Sequence, residues 1–228
     1  MSAPDSGAGV PSALSLAGVS PAISLVCFAV AQEARPFRKF SSSRSDIEVL
    51  VTGMGARNAE RTIRHALETH RPSRVFTCGF AGALDPTLRI GDVVFHSSDN
   101  HLATKLSALG TKSVSFCCSE RVAITAEEKR KLRDATKVDA VEMESRVISS
   151  ICSDAGVPCA TVRAISDLAD EDLPLDFNAL MTAEQKLSPW KLAIAITTAP
   201  HRIPQLIRLG KNSALAAQQL ARVLNQVT

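Results

Sequence analysis

The sequence predicts a single α/β domain, a three-layer α/β/α sandwich around a mixed, mainly parallel central sheet. Short apolar runs with the length of buried strands alternate with longer segments that carry apolar residues at helical spacing. Such alternation is typical of a mainly parallel sheet covered by helices on both faces. The composition, 45% hydrophobic and 21% charged, supplies enough apolar material for a sizeable core.

The elements are expected in the following order. Strands are predicted over residues 23–30, 47–52, 74–78, 90–95, 113–118 and 138–141, and over a run that begins at residue 159 and is closed by residues 163–167. Helices are predicted over residues 56–70, 126–137, 144–155, 190–199, 204–209 and 213–227. Thr125 and Glu128 form a capping box at the start of the helix that ends at Lys137. The acidic segment 168–174 is either a lid or a solvated loop.

Composition and charge narrow the class of protein. A net charge of +3 is too weak to predict nucleic-acid or membrane binding by electrostatics, and no apolar run is long enough for a membrane span. Two basic clusters, at residues 35–39 and 129–131, are interpreted as solvated faces. Residues 1–20 are rich in Ala, Ser, Gly and Pro and lack the basic start of a secretory signal. We therefore expect a flexible tail over 1–20 and one domain over 21–228.

The cysteines and histidines give no sign of a metal site. The six cysteines show neither metal-ligand nor disulfide spacing, and the five histidines form no ligand cluster. Most of the cysteines lie in apolar runs, which favours small buried thiols and a reducing compartment. We expect a cytoplasmic protein without a metal or a cofactor.

Acidic side chains stand where three of the predicted strands end. Glu33 follows the first strand, Glu142 and Glu144 follow residues 138–141, and Asp167 closes the strand that begins at Cys159. The carboxyl ends of strands in open α/β sheets border the ligand crevice, so these carboxylates are expected to converge on one small molecule. The sequence thus predicts a site built around acids that are far apart along the chain.

Each acid also has a structural interpretation. Glu33 can lie in the first turn of a helix, where the helix dipole favours a carboxylate. Asp167 or its neighbour Ser166 can cap a following helix. Glu142 is more often structural than catalytic in such a position.

Two glycine-containing turns accompany these acids. Gly53 and Gly55 lead into the helix 56–70, whose N-terminus, together with Arg57, can bind phosphate or another anion. A glycine turn is also the commonest way to join a strand to a helix. The second turn begins with Gly79 and Phe80, where small residues let a ligand approach closely, but it lacks a dinucleotide-binding spacing.

Four segments together resemble a known superfamily. They are Ala31-Gln32-Glu33-Ala34, Gly79-Phe80-Ala81-Gly82-Ala83-Leu84 with Leu88-Arg89-Ile90-Gly91-Asp92-Val93-Val94, Val141-Glu142-Met143-Glu144 and Arg163-Ala164-Ile165-Ser166-Asp167. In this order they resemble the purine nucleoside phosphorylase and methylthioadenosine/adenosylhomocysteine nucleosidase superfamily, over about residues 23–170. Residues 124–145, 173–174 and 208–210 look more like its hopanoid-associated branch, whose members are thought to remove adenine from adenosylhopane.

The resemblance implies cleavage of the N-glycosidic bond of a purine nucleoside or nucleoside conjugate, with adenine as the expected base. It implies that Asp167 protonates N7 of the leaving base and that Glu33 activates the attacking water. Glu144 would accept hydrogen bonds from both ribose hydroxyls, and Met143 would pack under the sugar. Further substrate contacts are expected from the positions Ser166, Phe80, Gly79 and Glu142. The resemblance also implies a homo-oligomer.

The chain departs from the superfamily pattern at two places. Phe80 stands where hydrolytic members often carry a serine, and Val122 or Ala123 stands where a phenylalanine often stacks on the base. Stacking would then come from Phe28, Phe80 or Phe177. Three interpretations remain open: hydrolysis, phosphorolysis with phosphate near residues 53–57, and a non-catalytic nucleoside-binding protein of the same fold.

Overall fold

A mixed eight-stranded sheet runs through the computed structural model, which describes residues 22–228. The predicted tail over 1–20 lies outside the described residues. The strands are β1 Ser24–Phe28, β2 Ile47–Val51, β3 Arg74–Ala83, β4 Val93–Ser97, β5 Lys112–Ser113, β6 Phe116–Cys118, β7 Ala140–Glu142 and β8 Cys159–Asp167. Their order along the main path is β2-β1-β3-β8-β4-β5, and β7 pairs with both β3 and β6.

Helices cover both faces of the sheet. They are α1 Ala31–Ser41, α2 Ala56–His70, α3 Asn100–Ala108, α4 Ala126–Thr136, α5 Ser145–Asp154, α6 Phe177–Leu180, α7 Pro189–Thr198 and α8 Ile203–Val227, with a 3-10 turn at Pro200–Arg202. Alternate residues of β1 separate the two faces: Val26 and Phe28 pack with α1 and α8, and Leu25 and Cys27 pack with α2 and α5. The predicted three-layer α/β/α sandwich with a mainly parallel sheet is confirmed.

The length of β3 determines where strand ends meet. Its first half lies between β1 and β8, parallel to both. Its last residues extend beyond β1 and pair antiparallel with β7, where Gly82 lies opposite Val141. Gly82 is also the partner of Asp167 at the end of β8. The carboxyl ends of β7 and β8 therefore flank the same end of β3.

Several elements differ from the sequence-based expectation. The single strand predicted over 113–118 is divided into β5 and β6, because the first pairs with β4 and the second with β7. The helices predicted over 204–209 and 213–227 form one continuous helix, α8, with Gly210 inside it. Helix α3 was not predicted, although Asp99 caps it by accepting hydrogen bonds from the N–H groups of His101 and Leu102. Within residues 22–228, no helix is long and apolar enough to cross a membrane.

Candidate active site

A cavity of about 270 Å3 opens at the carboxyl ends of the central strands. Glu33, Glu144 and Asp167 all contribute to its lining. The other predicted site residues that line it are Met143, Glu142, Ser166 and Phe80. The fold thus brings together Glu33 and two carboxylates, Glu144 and Asp167, that lie more than one hundred positions further along the chain.

Glu33 occupies the first turn of α1 and is almost completely buried. Its carboxylate accepts hydrogen bonds from the backbone N–H groups of Val30, at 3.2 Å, and Phe80, at 2.9 Å. Burial raises the pKa of Glu33 to about 7, against the opposing charge of Arg163. Glu33 therefore lies both in the first turn of a helix and in the cavity, as the two interpretations of its position predicted. With this pKa, its carboxyl group can exchange a proton near neutral pH.

Glu144 lies immediately before α5 and is held by the first glycine turn. Its Oε1 atom accepts a hydrogen bond from the N–H of Gly55 at 2.9 Å, and its Oε2 atom lies 3.5 Å from Nη2 of Arg163. Burial raises the pKa of Glu144 above its usual range; Arg163 opposes this rise and the neighbouring Glu142 adds to it. The glycine turn that was predicted to bind phosphate or another anion thus binds the carboxylate of Glu144.

Arg163 is a fully buried cation that contacts Glu142 and Glu144, and no role was predicted for it. Its Nη2 atom lies 2.6 Å from Oε2 of Glu142 and 3.2 Å from Oγ1 of Thr77, and its Nη1 atom donates to the carbonyl of Cys78 at 3.2 Å. An arginine in the middle of an apolar strand was the available signal, since a buried charge needs partners of opposite sign.

Glu142 has contacts that support its structural interpretation. Besides the ion pair with Arg163, it accepts hydrogen bonds from the N–H of Glu144 at 3.0 Å and from the N–H and hydroxyl of Ser145 at 2.8 and 2.7 Å. Burial alone would raise the pKa of Glu142, but Arg163 and Ser145 outweigh it and hold the pKa below its usual range. Glu142 therefore fixes the start of α5, and with it the position of Glu144.

Asp167 forms an ion pair that the sequence did not predict. Its Oδ2 atom lies 2.6 Å from Nζ of Lys129, and its Oδ1 atom accepts a hydrogen bond from the hydroxyl of Ser166 at 2.8 Å. The alternative that Asp167 caps a following helix is wrong, because a turn and an extended segment follow β8 before α6 begins. Its side chain is held at the cavity by a cation and a hydroxyl.

The interpretation of residues 129–131 as a solvated face is wrong for Lys129. Its side chain is completely buried, and Nζ also donates to the carbonyls of Leu168, at 2.6 Å, and Glu171, at 3.0 Å. The capping box at Thr125 is present, so α4 begins where predicted and turns Lys129 toward the segment after β8. Arg130 and Lys131 on the same helix are exposed, as expected.

The remaining predicted residues stand around the cavity without lining it. Gly79 has a φ of +146°, and a Cβ there would lie 2.7 Å from Nη1 of Arg163 and 2.9 Å from Oε1 of Glu33. Gly53 and Gly55 have φ values of +87° and +79°, a left-handed region that favours glycine. Arg57 instead borders a separate surface pocket with Asn58, Arg61 and residues 183–186.

Aliphatic side chains also line the cavity. Val122 and Ala123 contribute to this lining, and Val122 is fixed by two hydrogen bonds of 2.9 Å between its backbone and the side chain of Asn178. Among the three aromatic residues considered for base stacking, Phe80 lines the cavity. Phe28 is buried in the core against Phe37, and Phe177 begins α6 outside the cavity lining.

Comparison with known proteins places this chain in a family. The sequence model of the phosphorylase superfamily matches residues 24–98 and 111–189, which is more than half of the chain. The chain therefore belongs to the phosphorylase superfamily, and the predicted class of enzyme, nucleosidase or nucleoside phosphorylase, is confirmed.

The chain is also similar to individual proteins of known activity. The chain is 29% identical over 187 residues to the 5′-methylthioadenosine/S-adenosylhomocysteine nucleosidase of Glaesserella parasuis, covering 67% of this chain and 81% of the relative. Among solved structures it resembles the futalosine hydrolase of Helicobacter pylori (TM-score 0.67, 17% identity, 90% of this chain and 97% of that chain). It also resembles a methylthioadenosine/S-adenosylhomocysteine nucleosidase from Neisseria meningitidis in complex with methylthio-immucillin-A (TM-score 0.68, 18% identity, 90% and 98%). These structural similarities establish the shared fold.

Proposed function

We propose that this protein hydrolyses the N-glycosidic bond of a purine nucleoside, with adenine as the leaving base. The observation that carries the proposal is the convergence of Glu33, Glu144 and Asp167 on one cavity. The cavity is small, so a nucleoside fills it and brings its sugar and base within reach of the three acids. The relative from Glaesserella parasuis is a nucleosidase for adenosine derivatives, which supports the choice of adenine.

Asp167 is assigned to the leaving base. A purine leaves readily only when its ring receives a proton, and a positioned acid can supply that proton at N7. Lys129 carries ammonium protons and is hydrogen-bonded to Oδ2 of Asp167, so the pair delivers one proton to the base as a unit. The hydroxyl of Ser166 fixes the other oxygen, Oδ1.

Glu144 and Met143 are assigned to the ribose. A carboxylate accepts hydrogen bonds from two adjacent hydroxyls, and its negative charge favours the positive charge that develops on the sugar as the bond to the base breaks. Ribose hydroxyls would also supply donors to Glu144, whose buried carboxylate is otherwise held by the N–H of Gly55 and by the more distant Arg163. Met143 offers an adaptable apolar surface to the sugar.

Glu33 is assigned to the attacking water. A general base works best when its pKa lies close to the working pH, and burial raises the pKa of Glu33 to about 7. In the reaction the water oxygen bonds to C1′ of the ribose while the bond from C1′ to N9 breaks. One water proton passes to Glu33, and the proton that the pair of Asp167 and Lys129 supplies passes to N7 of the base.

The surroundings of the glycine turn at residues 53–55 and the charges in the cavity favour hydrolysis over phosphorolysis. The N–H of Gly55, which a phosphate would need, donates to Glu144. The side chain of Gln185 fills the space beside Gly55, and Arg57 points to a different pocket. Of the two arginines that line the cavity, Arg163 is paired with Glu142 and Arg121 with Glu128. A phosphate would thus find few positive partners.

A substrate panel tests this proposal. The purified protein is incubated with adenosine, 5′-methylthioadenosine and S-adenosylhomocysteine, with and without inorganic phosphate, and free adenine is measured. We expect base release that does not depend on phosphate. A strict phosphate requirement would establish phosphorolysis and overturn the hydrolytic assignment.

The variant Asp167→Asn separates an enzyme from a binding protein. We expect it to abolish base release while changing nucleoside affinity by less than about tenfold, which corresponds to ~1.4 kcal/mol. Asp170→Asn is the matched control, because Asp170 is exposed three residues further on and does not line the cavity. If Asp167→Asn releases base as fast as the control, the assignment of Asp167 is wrong.

A further inference from the structure

The large apolar side chains that are exposed fall mainly in one segment of the chain. Of the seven that are exposed within residues 22–228, six lie in the segment from residue 187 to residue 215. We call these six the C-terminal apolar surface: Leu187, Trp190, Ile194, Ile203, Ile207 and Leu215. The most exposed is Trp190, with 74% of its surface accessible. Clusters of this kind mark interaction sites more often than scattered exposed residues do.

Helix α7 forms the centre of this surface and has no buried residue. Its sequence is apolar nearly all round, with Lys191 as its single charged residue. Its main neighbour is the 3-10 turn that follows it, and Lys191 ties it to the carbonyls of Ala179 and Met181. A helix that is hydrophobic on most sides is normally covered by other apolar material.

The charge of the same segment is one-sided. Residues 185–228 contain no Asp or Glu and carry six basic residues, namely Lys186, Lys191, Arg202, Arg208, Lys211 and Arg222. The rest of the chain carries all 23 acidic residues and the remaining basic ones. The net charge of +3 for the whole chain therefore conceals a strongly cationic C-terminal segment beside a slightly acidic body.

We propose that the C-terminal apolar surface docks onto the surface of an anionic phospholipid bilayer. Tryptophan and isoleucine side chains enter the headgroup region, while lysine and arginine meet the negative lipid headgroups. Helix α7 has ten residues and is about 15 Å long, too short to span a bilayer but suited to lie in its interface. The binding is peripheral and combines apolar burial with electrostatic attraction.

Charge also argues against a second copy of the chain as the occupant. A two-fold contact would place this surface against itself. Such a contact would bring together two copies of a segment that has six basic and no acidic residues, of which Arg208 forms an ion pair with Glu171 within the described residues, and like charges across an interface are repulsive. An anionic lipid surface provides the missing opposite charge.

Docking would hold the cavity close to the bilayer. The residues that lead into α7 border the site. Asn178 fixes Val122 in the cavity lining, and the carbonyl of Glu184 accepts a hydrogen bond of 2.9 Å from the side chain of Asn58, beside the glycine turn at residues 53–55. The membrane-facing helix and the cavity are thus connected through short, hydrogen-bonded segments.

Vesicle binding tests the proposal, and Trp190 is a built-in probe because it is the only tryptophan in the chain. The protein is mixed with vesicles of phosphatidylcholine alone or of equimolar phosphatidylcholine and phosphatidylglycerol, and is then sedimented. We expect binding to the anionic vesicles, a shift of the Trp190 emission to shorter wavelength, and loss of binding in high salt. Absence of binding, or equal binding to both vesicle types, overturns the proposal.

Matched variants test which residues carry the binding. Ile194→Ser is expected to weaken partition to anionic vesicles by about tenfold, since loss of one buried large apolar side chain suffices for ~1.4 kcal/mol. Phe40→Ser is the control, because Phe40 is the one exposed large apolar side chain of the described residues that lies outside the surface. Lys211→Gln is expected to weaken binding about fivefold, and the exposed Lys105 on α3 supplies the control Lys105→Gln.

Circular dichroism and thermal unfolding establish that each variant is folded before it is compared. If Ile194→Ser and Phe40→Ser weaken vesicle binding equally, the C-terminal apolar surface is not the docking site. If Ile194→Ser instead dissociates an oligomer of the wild-type protein in the absence of lipid, the occupant is a second copy and the lipid proposal is wrong.

Discussion

The ammonium of Lys129 and the carboxylate of Asp167 form an ion pair of 2.6 Å between helix α4 and the end of strand β8. Because Lys129 is completely buried and also donates to two carbonyls after β8, it determines where the carboxylate stands. We expect Lys129→Met to lower kcat for base release on the order of 100-fold, as small displacements of a catalytic group often do. Steady-state kinetics with the best nucleoside of the panel measure this.

A double-mutant cycle distinguishes this role from a purely structural one. If Lys129 acts through Asp167, Lys129→Met should cost little further activity in the Asp167→Asn background. Lys131→Met is the control, since Lys131 is exposed on the same helix and pairs with Glu127. Additive losses in the double variant would show that Lys129 does not act through Asp167.

Glu33 should give the reaction a pH-dependent limb. With a pKa of about 7, Glu33 gains its basic form as the pH rises through neutrality, so kcat/KM should rise over that range and then level off. Glu33→Gln should lower kcat/KM by about 100-fold or more and remove this limb. A profile measured from acid to alkaline pH checks both points. A rising limb that persists in Glu33→Gln would assign the titration to another group.

The same group should affect stability in the opposite sense. Its folded-state pKa of about 7 lies above its ordinary value of 4.5, so the folded state binds the proton more tightly than the unfolded state does. The stabilisation from this proton is complete below about pH 4.5 and is lost as the pH rises through about 7. We therefore expect the urea-derived free energy of unfolding of wild type to fall, relative to that of Glu33→Gln, across this window.

A constant offset between the free energies of unfolding of wild type and Glu33→Gln does not test the raised pKa. Glu33 accepts hydrogen bonds from Val30 and Phe80 on its two oxygens, and an amide offers one oxygen and an NH2 donor, so Glu33→Gln also changes these hydrogen bonds apart from the titration itself. The slope of the difference against pH carries the test. Parallel stability curves for the two proteins would contradict the raised pKa.

The buried cation beneath the site should matter more for folding than any surface charge. Arg163→Leu leaves Glu142 buried without its partner and is expected to destabilise the protein by about 3–5 kcal/mol. The double variant Arg163→Leu with Glu142→Gln removes both charges and should recover part of this loss. Arg64→Leu, which breaks the exposed pair with Glu60, should cost less than about 1 kcal/mol. Chemical denaturation measures all three; equal costs for the two single variants would refute this ranking.

The sequence predicted those parts of the fold and site that depend on local patterns. Strand β8 is an apolar run that ends at Asp167, and β1 is an apolar run followed by Glu33 in the first turn of α1. The capping box at Thr125 fixes the start of α4, so in each case neighbouring residues alone contain the information. Glu33, Glu144 and Asp167 were predicted to converge because strand ends of one sheet face the same crevice. The periodicity of residues 213–227 likewise predicted the buried face of α8.

The parts that the sequence did not predict depend on contacts between distant segments. Lys129 belongs to a charged helix that looks solvated by itself, and its burial arises from carbonyls 39 and 42 positions away. The run 113–118 looks like one strand, and its division follows from two partner strands on different sides. The occupation of the space beside Gly55 by Gln185 likewise joins segments that share no local pattern.

Substitution of Gly79 tests whether activity requires the close approach of Arg163 and Glu33 to the backbone at this residue. A Cβ at this position would lie 2.7 Å from Arg163 and 2.9 Å from Glu33, and the φ of +146° is itself unfavourable for a side chain. Gly79→Ala should therefore displace both side chains and lower kcat/KM on the order of 100-fold, besides destabilising the fold. Kinetics and thermal unfolding measure the two effects.

Gly156 supplies the matched control for this substitution. It also has a positive φ, +67°, but a Cβ there would have no neighbour within 4 Å. Gly156→Ala should therefore carry only the backbone cost of about 1 kcal/mol and leave base release unchanged. The comparison shows how much of the effect at Gly79 exceeds the cost of placing an alanine at the left-handed φ of Gly156. If the two variants retain equal activity, Glu33 and Arg163 do not need the positions that Gly79 leaves open for them.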